Sequence, residues 1–260
     1  MSVVQLRICI CFSVFLLWLC WHAQAPAETV PHGKLRVSFS GKLQPNRLPR
    51  KGAKAIAVAV GGRIYTTDGS DPPPLRRIAI AINANGHLDP AAVPSCRLRQ
   101  IQPASTEYAR RVCGAAEVGE GTFSASVAIP EQAPYPSRGI VTAFNGREGG
   151  RPVIYLHIYG TRPLPTSFTL PLQIRPGHGQ FGTVLTGDLP SVDAHVGFVT
   201  GISLRLDGGD SHGTRRPYLS AGCPAPDGFP GAIFPLARVS FGFAQGPTLG
   251  TTLVRNCRVR

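Results

Sequence analysis

Tryptophan, methionine and lysine are nearly missing from this 260-residue sequence. The two tryptophans, Trp18 and Trp21, and the one methionine, Met1, all fall within the first 21 residues. The rest of the chain therefore offers no indole face for a sugar ring, which weakens a carbohydrate-binding reading. Charged residues make up 16 % of the sequence, against roughly 25 % in an average protein. Hydrophobic residues reach 43 %, and the two figures together exclude a disordered or coiled-coil chain. No His-Glu-x-x-His helix, no Cys-x-x-Cys knuckle and no nucleic-acid module signature occurs. These absences leave no metal, cofactor or nucleic-acid partner to expect, and no catalytic residues to name.

The only long apolar run stands at the start. Arg7 precedes Ile8–Trp21, a 14-residue stretch that is apolar apart from Ser13. Ala23-Gln24-Ala25 then places small residues at the −3 and −1 positions of a cleavage site. This is the layout of a secretory signal peptide over residues 1–25, and it predicts a secreted or cell-envelope protein. As a helix the run spans about 21 Å, too short for a hydrocarbon core of ~30 Å. Cys9, Cys11 and Cys20 leave with the leader. Cys96, Cys113, Cys223 and Cys257 remain, and an even number in an exported chain reads as disulfides. Four cysteines allow three pairings. Cys96–Cys113 and Cys223–Cys257 are preferred because each closes a modest local loop.

Basic residues outnumber acidic ones, 27 to 14, for a formal net charge of +13. Such a chain is drawn to polyanions, so an anionic envelope polymer or lipid is the expected class of partner. Only four of the basic residues are lysines, and the arginines are dispersed as pairs, so a solvated basic surface explains most of the excess.

Strict alternation marks the body as antiparallel β. Leu35, Val37 and Phe39, then Phe168, Leu170, Leu172 and Ile174, then Ile202, Leu204 and Leu206 alternate with mostly polar neighbours. Ile56–Val60 and Ile78–Ile82 instead alternate large apolar residues with alanine, which suits strands buried on both sides. Asn145-Gly146 predicts a hairpin turn between Ile140–Phe144 and Val153–Tyr159. One short helix is expected from a Ser105 or Thr106 cap through about Val112, with Gly114 at its exit. The expected architecture is a flexible mature N-terminus over residues 26–34 and a single antiparallel β-sandwich domain over 35–260, with eleven or twelve strands. A two-part β structure split near residue 130 is the second choice.

In order along the chain stand Leu48-Pro49-Arg50-Lys51-Gly52, Thr66-Thr67-Asp68-Gly69-Ser70, Pro94-Ser95-Cys96, and Cys113-Gly114 with Val118-Gly119-Glu120-Gly121. Phe144-Asn145-Gly146, His157-Ile158-Tyr159, Phe181-Gly182-Thr183, Cys223-Pro224 and Cys257 follow. This ordered set resembles a group of uncharacterised exported proteins of actinobacteria over most of residues 45–257. The resemblance implies export and a shared fold, and no activity.

Tyr155, His157 and Tyr159 share one face of a strand. Such a row can stack against a sugar or lipid headgroup, or hold an anion when His157 is protonated. It can equally be a packed row with locally satisfied polar tips. Asp210-Ser211-His212 contains all three triad side-chain types, but neighbours in sequence rarely point at one another. Asp207 with Asp210, and Asn83, Asn85 and Asp89 around Gly86, are weak calcium patterns that polar turns explain better. Glu117 and Glu120 show no glycosidase pairing. The expectation is a non-catalytic exported binding or structural module at the cell envelope. The alternatives are a carrier of an apolar ligand in a curled sheet, and a hydrolase.

Overall fold

A computed structural model of the protein describes residues 27–127, 131, 133–189, 197–207, 217–244 and 246–260. The expected signal peptide and the Asp210-Ser211-His212 loop lie outside the described residues. The alternating segments form strands, because one pleated face finds a core and the other finds solvent. They are β1 (Glu28–His32), β2 (Leu35–Gln44), β3 (Arg47–Leu48), β4 (Lys54–Ala55), β5 (Ala57–Thr66), β6 (Leu75–Asn83), β7 (Gly86–Leu88) and β8 (Glu117–Val127). Then come β9 (Tyr135–Glu148), β10 (Arg151–Gly160), β11 (Thr166–Pro176), β12 (Phe181–Asp188), β13 (Phe198–Asp207), β14 (Leu219–Ala221), β15 (Gly231–Phe243) and β16 (Thr248–Val259).

Among the described residues thirteen strands make one sheet, in the order β1-β2-β5-β13-β8-β9-β10-β11-β12-β6-β15-β16-β3. β4, β14 and β7 make a second, small sheet. Among the described residues every strand pairing is antiparallel except β16 with the two-residue edge β3. The large sheet cannot be flat. Phe39 on β2 and Phe241 on β15 have eight strands between them, which in a flat sheet would separate them by about 43 Å. Their ring centroids are 6.3 Å apart, edge to face. The sheet curls until its flanks oppose each other, and Leu35, Val37, Phe39 and Ile64 bury against Val239, Phe241, Leu249 and Leu253. The two facing layers of the expected sandwich are thus parts of one continuous hydrogen-bonded sheet. Arg255 fastens the closure. Its Nε donates to the Gly41 carbonyl at 2.7 Å, and its guanidinium pairs with Glu28 at 2.7 Å.

Of the expected free segment 26–34, the part from Glu28 on is paired. Glu28–His32 pair with Phe39–Leu35 across a turn in which Gly33 takes φ +53°. Pro31 and the lack of large apolar residues hide this strand from an alternation rule.

The Asn145-Gly146 turn is also corrected. β9 runs straight through it, and the hairpin to β10 closes at Gly149-Gly150, where φ is +55° and +79°. Asn145 is fully buried instead. Its Nδ2 lies 2.9, 3.1 and 3.0 Å from the carbonyls of Pro90, Val93 and Pro94, so it donates to the incoming loop. Gly146 is required because a Cβ there would lie 2.2 Å from the Tyr155 ring.

The loop leads into two helices, α1 (Leu98–Ile101) and α2 (Thr106–Cys113), one more than the sequence suggests. Ser105 caps α2, its hydroxyl accepting from the Tyr108 N–H at 3.2 Å. Both preferred cysteine pairs are disulfides, Cys96–Cys113 and Cys223–Cys257. The first joins the two ends of the helical hairpin, and the Cys96 N–H, donating to the Asn145 carbonyl at 2.8 Å, ties that end to β9. Arg110 holds the other side of α2, pairing with Glu117 at 2.8 Å and Glu120 at 2.9 Å on β8. These two carboxylates therefore serve a clamp.

Candidate functional site

The two faces of β10 lead to two different places. Ile154, Leu156 and Ile158 point into the curled sheet and join its main core. Val153 and Tyr155 point outward, where the helical hairpin covers them. Tyr155 packs with Cys96, Ile101, Ala109 and Phe144, and its hydroxyl donates to the Arg147 carbonyl at 3.0 Å. Burial, followed by the Glu148 charge, raises its pKa. His157 is 0 % exposed. The strand registers place it opposite Thr142 on β9 and Thr169 on β11. Neither ring nitrogen, nor either threonine hydroxyl, has a hydrogen-bond partner among the described residues. Of the row Tyr155, His157 and Tyr159, only Tyr159 is half-open to solvent. Tyr155 seats the hairpin and His157 is buried, so the row leaves no open strip of two tyrosines and an imidazole for a ligand.

Desolvation holds the His157 pKa below its ordinary value, so the buried ring is neutral. The unfolded chain, with a histidine pKa of about 6.5, binds this proton first as pH falls. Stability tied to His157 is therefore complete above about pH 6.5 and is lost as pH drops toward the lowered folded pKa. An apolar replacement relieves both the unpaired nitrogens and the proton linkage. His157→Leu is expected to stabilise the fold by about 1–3 kcal/mol, with a larger gain at pH 5 than at pH 7.5. Urea unfolding at the two pH values measures this, and a variant less stable than wild type at both shows that the ring is satisfied after all.

Inside the curl lies a cavity of about 100 Å³. Val58 and Val60 on β5, Ile80 and Ile82 on β6, and Leu204 and Leu206 on β13 form its walls. Most of these sit at interior-facing positions yet are only half-buried, because part of their surface fronts empty space. The small sheet closes one end, where His87, Leu219 and Ser220 line the cavity. Asn83 and Asn85 also reach it but are engaged. Asn83 Nδ2 donates to the Pro235 carbonyl at 2.9 Å, and its Oδ1 accepts from Asn85 at 2.9 and 3.0 Å. Asp89 accepts from the Ala91 N–H at 3.0 Å. These three residues are turn anchors. Among the described residues, no group of three or more histidine, cysteine, aspartate or glutamate side chains is placed to hold a metal ion.

Gly209-Asp210-Ser211-His212-Gly213 has the Gly-x-Ser-x-Gly spacing of a nucleophile elbow. That elbow joins a strand to a helix. Here the flanking described elements are strands, β13 and β14, and the pentapeptide itself lies outside the described residues.

The two-sided apolar strands were the sequence signal for the cavity. Nothing in the sequence signalled the lid, which depends on three strands of two or three residues each. Among the described residues, no helix is long and apolar enough to cross a membrane. Compared with family models, with curated proteins and with solved structures, the chain matches none.

Proposed function

We propose that the protein is an exported, non-catalytic binding module of the cell envelope, and that it holds an apolar molecule inside its curled sheet. The observation that carries this reading is the cavity, with walls of valine, isoleucine and leucine on strands from both flanks. An empty space of this kind weakens a core, by about 24 cal/mol per Å³ in engineered examples. At 100 Å³ the cost is about 2 kcal/mol, which an occupant would offset. Dry apolar cavities of ~150 Å³ take up benzene. The room here thus suits a few carbons of an alkyl chain rather than a whole lipid. Two disulfides fit an oxidising compartment outside the cytoplasm.

Native mass spectrometry of protein purified from its host, followed by solvent extraction, tests the reading. A bound alkyl-chain compound is expected in wild type. It should be absent from Val58→Phe, whose ring would occupy the space, while the melting temperature stays level or rises. Wild-type protein without any extractable ligand, and unable to take one up from added short-chain fatty acids, would remove the carrier reading.

A further inference from the structure

We infer that the outer face of β3, β15 and β16, together with the loop before β15, docks on an anionic lipid surface. Three large apolar side chains project there without cover: Ile233 at 80 % exposure, Phe229 at 60 % and Val254 at 47 %. The β15–β16 register places Ile233 opposite Asn256 and Pro235 opposite Val254, so these side chains share one face. The same alternation along β16 turns Arg258 and Arg260 outward, while Leu253 and Cys257 are buried on the opposite face. Arg47 on β3 lies beside Arg258 in the parallel pairing and is exposed. The apolar knob is therefore bordered by Arg47, Arg258 and Arg260.

Acidic charge is scarce on this surface. Segments 46–51, 225–236 and 253–260 contain a single acid, Asp227, against Arg47, Arg50, Lys51, Arg258 and Arg260, while Arg255 lies on the opposite face, paired with Glu28. Arg50 lies 3.5 Å from Asp227 and donates to the carbonyls of Ala225, Pro226 and Phe229. Its side chain thus fixes the loop that presents Phe229. Cys223–Cys257 ties the start of that loop to β16. Exposed phenylalanine and isoleucine on a fixed loop and strand, with arginines at the border, complement a bilayer interface. The apolar groups enter the acyl boundary while the guanidiniums meet phosphate. An acidic soluble polymer would use the arginines and leave the apolar knob in water.

The surface deepens the binding-module reading, since the loop runs directly from the cavity's lid strand β14 to β15. It does not require the cavity to be filled, and ligand content measured separately keeps the two failures distinguishable.

Vesicle co-sedimentation tests it, using residues 26–260, which contain all sixteen described strands. The expected result is binding to vesicles of phosphatidylglycerol mixed equally with phosphatidylcholine, and little to phosphatidylcholine alone. Phe229→Ser with Ile233→Ser should lower the partition coefficient about tenfold or more, and Arg258→Gln with Arg260→Gln by a comparable factor. Unfolding curves matching wild type confirm that these exposed substitutions leave the fold intact. The inference is overturned if wild type does not prefer the anionic vesicles. It is also overturned if the serine variant binds them as well as wild type does, because the attraction is then charge alone.

Discussion

A chain carrying Gly121→Val is expected not to fold. A Cβ at Gly121 would lie 1.8 Å from the Ser203 carbonyl oxygen and 2.8 Å from Leu204 Cα. Both atoms belong to the backbone of β13, the strand that β8 pairs with there, so no flexible side chain can yield. Gly119 is held in the same way, 2.3 Å from the Arg205 carbonyl oxygen. The two glycines let β8 and β13 approach without side chains between them. The cost of a branched side chain belongs with the exceptional substitutions, above about 4 kcal/mol, against a total stability of roughly 5–15 kcal/mol for an ordinary domain. Gly114→Ala is the control, because Gly114 has helical dihedrals and open space around it. Soluble yield and far-ultraviolet circular dichroism of the two variants give the comparison. A Gly121→Val protein with the wild-type spectrum and unfolding midpoint would falsify the claim that the paired strands must touch at this point.

Removing Cys223–Cys257 is expected to cost about 4 kcal/mol, because the bridge closes a loop with a sequence separation of 34. The shorter Cys96–Cys113 loop, with a separation of 17, should cost about 3 kcal/mol by the same entropy argument. The first loss has a second consequence. Cys223 follows β14 after one residue, and its N–H donates to the Pro49 carbonyl at 2.9 Å. The bridge therefore holds the lid of the cavity against β16, and Cys223→Ser with Cys257→Ser should release a bound ligand as well as lower the urea midpoint. Midpoints equal to wild type under non-reducing conditions would show that packing alone keeps the lid in place.

The strand pattern was open to reading because half-burial leaves a period of two in the residues. Leu35–Phe39, Phe168–Ile174 and Ile202–Leu206 became parts of β2, β11 and β13. The alanine-spaced runs at 56–60 and 78–82 became walls of the cavity, their larger side chains inward. Asn145-Gly146 misled because the same dipeptide that suits a turn also suits a strand covered by a close neighbour. Asn145 supplies donors to the buried loop carbonyls, and Gly146 leaves room for Tyr155. The glycines of Val118-Gly119-Glu120-Gly121 were visible as a motif, but their reason, contact with the backbone of a strand some eighty positions later, was not.

By itself the sequence determined the β character and the short capped helix, since each depends on residues near one another in the chain; it favoured one of three cysteine pairings, and the fold settled that choice. Tertiary structure alone decided what those faces meet. Alternation states that Val153 and Tyr155 lie on one side of β10, but only the folded hairpin of α1 and α2 closes that side to solvent. The curl that brings Phe39 to Phe241 likewise leaves a space among Val58, Ile82 and Leu204, because long-range packing sets how closely two flanks of one sheet can approach.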